Sequence, residues 1–205
     1  MHLTTLCAYV ALEIVLCFIP GPAVMAVVGA ALGRVRSGYA TALGILTGNL
    51  VYFIVSAIGV SSVILASHDA FVVIKWCGAA YLAYLGIRSL LAKTADDPIA
   101  SGDDARRLAR GWASGALTQL ANPKALVFFA AILPQFIDPH ANLTLQVAIL
   151  GVAGLVVELG VLSTYITLVG SMHRSGIAPK SRLLAARIGG AFLLGVAAAV
   201  VREAP

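Results

Sequence analysis

Six long apolar stretches take up most of the sequence. They are residues 3–31, 40–66, 70–92, 112–135, 143–171 and 185–201. A helix needs about 20 apolar residues to cross the hydrocarbon core of a bilayer. A backbone that crosses lipid is either helical or part of a closed barrel, and strand-type alternation is absent here. The sequence therefore predicts an all-α integral membrane protein with six transmembrane helices.

The small number of charges supports the same fold class. Hydrophobic residues make up 60% of the 205 residues, and charged residues only 11%. An ordinary soluble domain carries about 25% charged residues. Too few charges remain to cover a water-facing surface, so we expect membrane lipid to surround most of the chain.

Most of the basic residues lie in, or at the edges of, alternate loops between the apolar stretches. They are Arg34, Arg36, Arg88, Lys93, Arg106, Arg107, Arg110, Arg174, Lys180, Arg182 and Arg187. Lys and Arg concentrate in cytoplasmic loops of membrane proteins. This pattern predicts three basic loops in the cytoplasm and both termini outside. It explains the net charge of +5 as a topology signal, and no nucleic-acid partner is expected.

A hydrophilic segment divides the chain near its middle. Residues 93–110 contain Pro, Gly and mixed charges, which is typical of a flexible linker. We expect a single transmembrane domain, 1–205, with a first repeat at 1–92, this cytoplasmic linker and a second repeat at 111–205. Because each repeat has three spans, the second copy must insert upside down.

Proline interrupts corresponding stretches of the two halves, at Pro20-Gly21-Pro22 and at Asn122-Pro123. Proline removes a backbone donor and clashes with the preceding turn, so helices 1 and 4 should break there. Paired breaks of this kind indicate the transport site of an inverted-repeat carrier. Ordinary proline kinks are the alternative. Two prolines within three residues favour the transport site.

Three ionisable residues lie deep in apolar stretches, namely Glu13, Lys124 and Glu158. A charge at such depth is costly and usually functional. One acid can pair with Lys124 while the other binds a proton, so both acids are candidates for proton coupling. Lys124 begins the second half-helix, where free N–H groups and the helix dipole attract a carboxylate.

A larger set of residues is predicted to bind substrate. It consists of Lys124, Asn122, Gln119 and Asn49 together with Pro20, Gly21 and Pro22. Alternatives remain for three residues of interest. Lys124 can form a structural ion pair, Asn49 an interhelical hydrogen bond, and Glu13 can face water at the headgroups. Glycines four residues apart, such as Gly44 and Gly48, are interpreted as helix-packing positions.

Other chemistries find little support. The phosphate-binding Gly-rich motif of ATPases is absent. Cys7 and Cys17 share one helix about 15 Å apart, too far for a disulfide. The four histidines lie at the ends or in loops. We expect no cofactor, no resident metal and no enzymatic activity. Export of another solute such as a metal cation, or a membrane-embedded thiol or electron relay, remains the alternative.

Several motifs resemble one known family in the same order along nearly the whole chain. They are Pro20-Gly21-Pro22, 44–49 (Gly-Ile-Leu-Thr-Gly-Asn), 78–88, Asn122-Pro123-Lys124-Ala125, 133–139 and 187–191. The chain resembles the LysE/RhtB-type amino-acid exporters. The resemblance implies a secondary exporter of amino acids or related metabolites in the bacterial cytoplasmic (inner) membrane, an antiporter driven by protons. Many members carry an acid where this chain has Asn49. A homo-oligomer is possible.

Overall fold

The computed structural model describes residues 2–57, 104–138 and 140–174 continuously, with individual helical residues between 76 and 91 and between 184 and 198. The predicted spans 70–92 and 185–201 and the linker residues 93–103 lie wholly or largely outside these residues. The fold below is therefore that of the described residues.

Every regular element among the described residues is helical, as the sequence predicted. The elements in chain order are α1 (Leu3–Phe18), α2 (Pro22–Gly33), α3 (Val35–Ala57), α4 (Asp104–Leu120), α5 (Pro123–Val127), a π-helical segment (Phe128–Ile132), a 3-10 segment (Leu133–Phe136) and α6 (Leu143–Arg174).

The first apolar stretch consists of two helices rather than one. α1 ends at Phe18, α2 begins at Pro22, and their axes differ by 56°. Pro22 occupies the first position of α2, where the missing N–H costs nothing because that group would have no intrahelical partner. The backbone ends of two helices therefore face each other across residues 19–21.

The fourth stretch is also interrupted, and it begins earlier than the sequence predicted. α4 starts at Asp104 rather than at residue 112, so the end of the predicted flexible linker is helical. Asp104 favours this start because an acid in the first turn complements the helix dipole. α4 ends at Leu120, and α5 begins at Pro123 with Asn122 as its N-cap.

Two helices of the described chain are long and apolar enough to cross a membrane, α3 over Val35–Ser56 and α6 over Leu143–Ser171. The bent pair α1 and α2 would make a third span. Exposed apolar side chains cover the outer faces of these helices, including Leu50, Ile54 and Val156. In water such a surface would be unstable, which fits a protein surrounded by lipid.

Glycines allow α3 and α4 to pack closely. A Cβ atom at Gly44 would overlap the backbone of Trp112, and one at Gly115 would overlap the carbonyl oxygen of Thr41. At Gly48 it would lie 2.8 Å from the Gln119 Cβ. The packing interpretation is therefore confirmed at these positions. The same spacing at Gly29 and Gly33 predicted close packing too, and this is wrong at Gly29, where nothing lies within 4 Å of an added Cβ. The close approach also brings Asn49, the residue after Gly48, next to α4.

Two buried apolar clusters support the elements. One joins α2, α3 and α6 around Val27, Ile45 and Ile166. The other joins α1, α3, α6 and the segment after Pro123 around Tyr9, Phe129 and Leu150. The site described next touches both clusters.

Candidate functional site

A cavity of about 50 Å³ lies where the two interrupted helices meet. Its polar lining consists of Glu13, Asn49, Gln119, Asn122, Lys124 and Glu158. Its apolar lining includes Leu16, Val24, Phe128, Phe129 and Leu162. All the helices α1 to α6 contribute to this lining. A polar cavity of this size has room for a few water-sized groups.

Most of the residues singled out from the sequence line this cavity. Gly21 does so, whereas Pro20 is exposed and Pro22 is buried beside it, and neither lines the cavity. Thr118, the residue before Gln119, is buried but does not line the cavity. Its hydroxyl donates to the Ser114 carbonyl of its own helix at 2.7 Å. The structure thus brings six of the predicted polar residues and Gly21 together around the cavity. Pro20 and Pro22 lie at the interruption between α1 and α2, outside the cavity lining.

The two deep carboxylates and the ammonium share this cavity. Glu13 and Glu158 are each 7% exposed, and both interact electrostatically with Lys124. Neither acid lies within 4.0 Å of the ammonium. Among the described residues, an ion pair joins Arg34 to Asp104 instead. Glu13 is buried at the cavity, and its carboxylate accepts a long contact (3.8 Å) from the Cys17 thiol.

Lys124 bonds to the end of the first broken helix rather than to an acid. Its ammonium donates to the carbonyl oxygens of Leu16 and Ile19, and the Tyr165 hydroxyl donates to the Phe18 carbonyl at 3.0 Å. The last carbonyls of a helix lack intrahelical partners and carry partial negative charge. A cation from the second interrupted stretch therefore stabilises the interruption of the first.

A chain of side-chain amides connects Glu158 to the second break. Asn49 donates to the Glu158 carboxylate and accepts from Gln119. Asn122 donates to the Gln119 carbonyl oxygen at 3.1 Å and accepts from the backbone N–H of Lys124 at 3.1 Å. Glu158, Asn49, Gln119 and Asn122 are all at most 7% exposed. The chain runs from α6 through α3 and α4 to the first turn of α5.

Sequence reasoning missed a polar row on α3 that faces the second break. The Tyr52 hydroxyl donates to the Leu120 carbonyl at 2.7 Å, and the Ser56 hydroxyl donates to the Phe129 carbonyl at 3.3 Å. With Asn49, these residues follow helical spacing along one face. Polar residues at this spacing within an otherwise apolar helix were the sequence signal that could have revealed the row. Tyr52 and Ser56 thus bond to backbone carbonyls at the end of α4 and in the π-helical segment, while Asn49 bonds to side chains of α4 and α6.

The sequence profile of the LysE type translocator family matches residues 14–204. The chain belongs to this family. The prediction of a membrane-embedded transporter rather than an enzyme is therefore confirmed. No solved structure matches the chain.

Curated relatives are similar over much of this translocator. A homoserine/homoserine lactone efflux protein of Salmonella typhimurium is 36% identical over 65% of the chain and 64% of its own length. The uncharacterized membrane protein YrhP of Bacillus subtilis is 34% identical over 73% and 75%. A leucine efflux protein of Salmonella choleraesuis is 29% identical over 66% of each chain. The match thus spans somewhat less than two thirds of the homoserine protein.

Proposed function

We propose that this translocator is a secondary active exporter of amino acids or closely related metabolites across the cytoplasmic membrane. One observation carries the proposal. Two interrupted helices meet at a single cavity that also holds two buried carboxylates and an ammonium. Interrupted helices of this kind form the substrate sites of many secondary transporters. Two relatives are named for the efflux of homoserine and of leucine, which supports the substrate class.

A zwitterionic amino acid fits the charges of the cavity. Its carboxylate would bind the Lys124 ammonium and the backbone at the start of α5, where Ala125 lines the cavity. Its ammonium would bind Glu13 or Glu158 on the opposite helices. The apolar side chains of Leu16, Val24 and Leu162 would contact the substrate side chain. A substrate carboxylate would replace the α1 carbonyls that Lys124 contacts in this structure.

The same contact supports a proposal of alternating access. Lys124 links the end of α1 to the start of α5, and these elements belong to different halves of the proposed inverted repeat. Exchange of this contact for substrate would release one half from the other. The halves would then rock around the cavity while the substrate stays near the membrane midplane.

Proton coupling is assigned to Glu13 and Glu158. Both carboxylates line the cavity in the part of the chain that would lie within the membrane, and two acids face one base there. One negative charge is therefore left for either a proton or the substrate ammonium. Competition between the two is the basis of antiport. The basic loops would face the cytoplasm, and both termini would lie outside.

The proposal is tested by export from bacteria loaded with amino acids through a panel of dipeptides. Cells expressing the wild-type chain are compared with cells expressing Lys124→Met or Lys124→Arg at equal membrane abundance. A charged hydrogen bond contributes about 1.5–3 kcal/mol, so Lys124→Met should raise KM about tenfold or more. Lys124→Arg should retain much of the export, because arginine keeps the charge and the donors.

Tyr165→Phe is the matched control. It removes a hydrogen bond to the same end of α1 but no charge, so it should leave KM nearly unchanged. Equal losses in Lys124→Met and Tyr165→Phe would contradict a binding role, and would make Lys124 a structural cap. Wild-type cells that export nothing from the panel would remove amino acids as the substrate. Metal cations would then be tested first.

A further inference from the structure

The amide chain from Glu158 to Lys124 has a fixed direction. A carboxylate only accepts hydrogen bonds and a backbone N–H only donates, so both ends of the chain are determined by chemistry. Between them, Asn49, Gln119 and Asn122 each use the NH₂ group toward Glu158 and the carbonyl oxygen toward Lys124. Reversing any one amide would place two donors or two acceptors face to face.

The far end of this chain is the cap of a broken helix. The Asn122 side-chain oxygen accepts from the Lys124 N–H and so satisfies one of the free donors at the start of α5. Lys124 is also the residue whose ammonium holds the end of α1. The charge of Glu158 and the geometry of both interruptions are therefore connected by three buried amides.

We propose that Asn49, Gln119 and Asn122 form a relay that couples the proton occupancy of Glu158 to the cap of α5. With Glu158 ionised, the relay holds Asn122 in its capping orientation. A protonated Glu158 is a weaker acceptor and gains a donor, so the three amides can reverse together. The Asn122 NH₂ group then faces the Lys124 N–H, and the start of α5 loses its cap. Asn49 and Gln119 are positioning residues in this scheme.

Other charged and titratable groups also face Glu158. They are Glu13, Cys17 and Tyr9 on α1 and Lys124 on α5. The ionisable side chains of these four residues are not links in the chain of amides, which ends at the backbone N–H of Lys124. Changes at Asn49 or Gln119 therefore alter the relay while leaving these charges in place, and a test at those two positions separates the relay from simple electrostatics.

The inference rests on the proposed function, and the first test uses purified protein in lipid vesicles with radiolabelled homoserine or leucine. Uptake is measured with and without a proton gradient, and the ratio of the two rates reports coupling. Asn49→Leu and Gln119→Leu should lower this ratio to about one. Because both rates are measured in the same variant, a change in substrate binding that affects both rates alike does not alter the ratio. Tyr52→Phe is the matched control, because it removes another α3 bond to α4 outside the relay, and its ratio should equal that of the wild type.

A double variant in which the two amide residues are swapped, Asn49→Gln with Gln119→Asn, tests whether the lost coupling can be rescued. Asn49→Gln and Gln119→Asn each change the length of one link, and together they keep three amides with the same total length. The double variant should recover the stimulation that each single variant loses. Retained stimulation in Asn49→Leu and Gln119→Leu would overturn the relay while leaving the exporter intact. A wild-type ratio of one would also overturn it.

A second measurement does not depend on transport. Infrared difference spectra of the purified protein across pH should contain a protonated-carboxyl band that Glu158→Gln removes. The relay predicts simultaneous changes in the side-chain amide bands, which disappear in Gln119→Leu. A Glu158 band without amide changes, or amide changes that persist in Gln119→Leu, would overturn the relay even if the substrate were not an amino acid.

Discussion

Glu158 accepts a hydrogen bond from Asn49, which lies more than a hundred residues earlier in the sequence. A substitution at Glu158 that keeps this acceptor can separate proton binding from the structural role of the hydrogen bond. Glu158→Gln keeps an acceptor oxygen for Asn49 but cannot bind a proton. We expect normal membrane abundance and continued exchange without a gradient, with loss of stimulation by a proton gradient. The measurement is vesicle uptake with and without that gradient, alongside Glu13→Gln. Unchanged stimulation in both variants would contradict proton coupling through these acids.

Tyr9 carries a hydroxyl that is fully buried and has no hydrogen-bond partner among the described residues. Leaving a buried donor unsatisfied costs about 1–3 kcal/mol. Tyr9→Phe should therefore leave the thermal unfolding midpoint in detergent unchanged or raise it, because the ring contacts with Phe128 and Phe136 remain. A marked fall in the midpoint would mean that the hydroxyl has a stabilising partner.

The burial of Glu13 and Glu158 agrees with what their positions in apolar stretches indicated, whereas the Lys124 side chain is exposed. The neighbours of these residues could not be predicted. Glu13, Lys124 and Glu158 stood out because charge is rare in apolar stretches. Their common cavity depends on how α1, α5 and α6 pack, which no local pattern encodes. The carbonyl partners of Lys124 were missed for the same reason, since they exist only because α1 ends beside α5. The ion pair considered for Lys124 is absent from the described residues.

Close contact between α3 and α4 makes a prediction at the scale of elements. Gly44→Ala and Gly115→Ala each force a methyl group into backbone of the facing helix. Overpacking of this kind costs about 1–3 kcal/mol or more. Both variants should have lower unfolding midpoints, and transport should fall because the shift also displaces Asn49 from Gln119.

Gly29→Ala and Gly160→Ala are the controls for these variants. Both glycines lie in helices with nothing near the added methyl group. Alanine in a helix is more stable than glycine by about 0.5–1 kcal/mol, so these midpoints should hold or rise. A fall in all four variants alike would indicate that glycine flexibility, rather than close packing, is the property required.

The elements were predictable where the sequence carries strong local signals. Apolar length indicated α3 and α6, and proline positions indicated where to look for interruptions, which the structure has at residues 19–21 and 121–122. The early start of α4 was missed because Asp104–Arg110 is polar, and polarity was interpreted as a linker. The π-helical segment at Phe128–Ile132 has no clear sequence signal. Phe128 and Phe129 of this segment pack against Tyr9 of α1 and Phe53 of α3.

At the scale of the whole molecule, the described helices expose apolar side chains outward and together line a cavity that contains six polar side chains. Composition alone predicted the lipid-facing exterior, because the chain has too few charges for any other solvent. The family and its relatives support export, while the cavity supplies the residues that would perform it. The central claim is that substrate occupies this cavity during transport.

A native thiol in the cavity allows that claim to be tested directly. Cys17 lines the cavity and is a free thiol, and Cys7 lies at an exposed position of the same helix. In a Cys7→Ser, Cys77→Ser variant that still transports, we would measure the rate at which a small maleimide modifies Cys17 as homoserine or leucine is added. We predict that modification slows as substrate rises, with half of the effect near the KM for export, and that modified protein no longer transports. A rate of modification that stays constant at saturating substrate would contradict a transport path through this cavity.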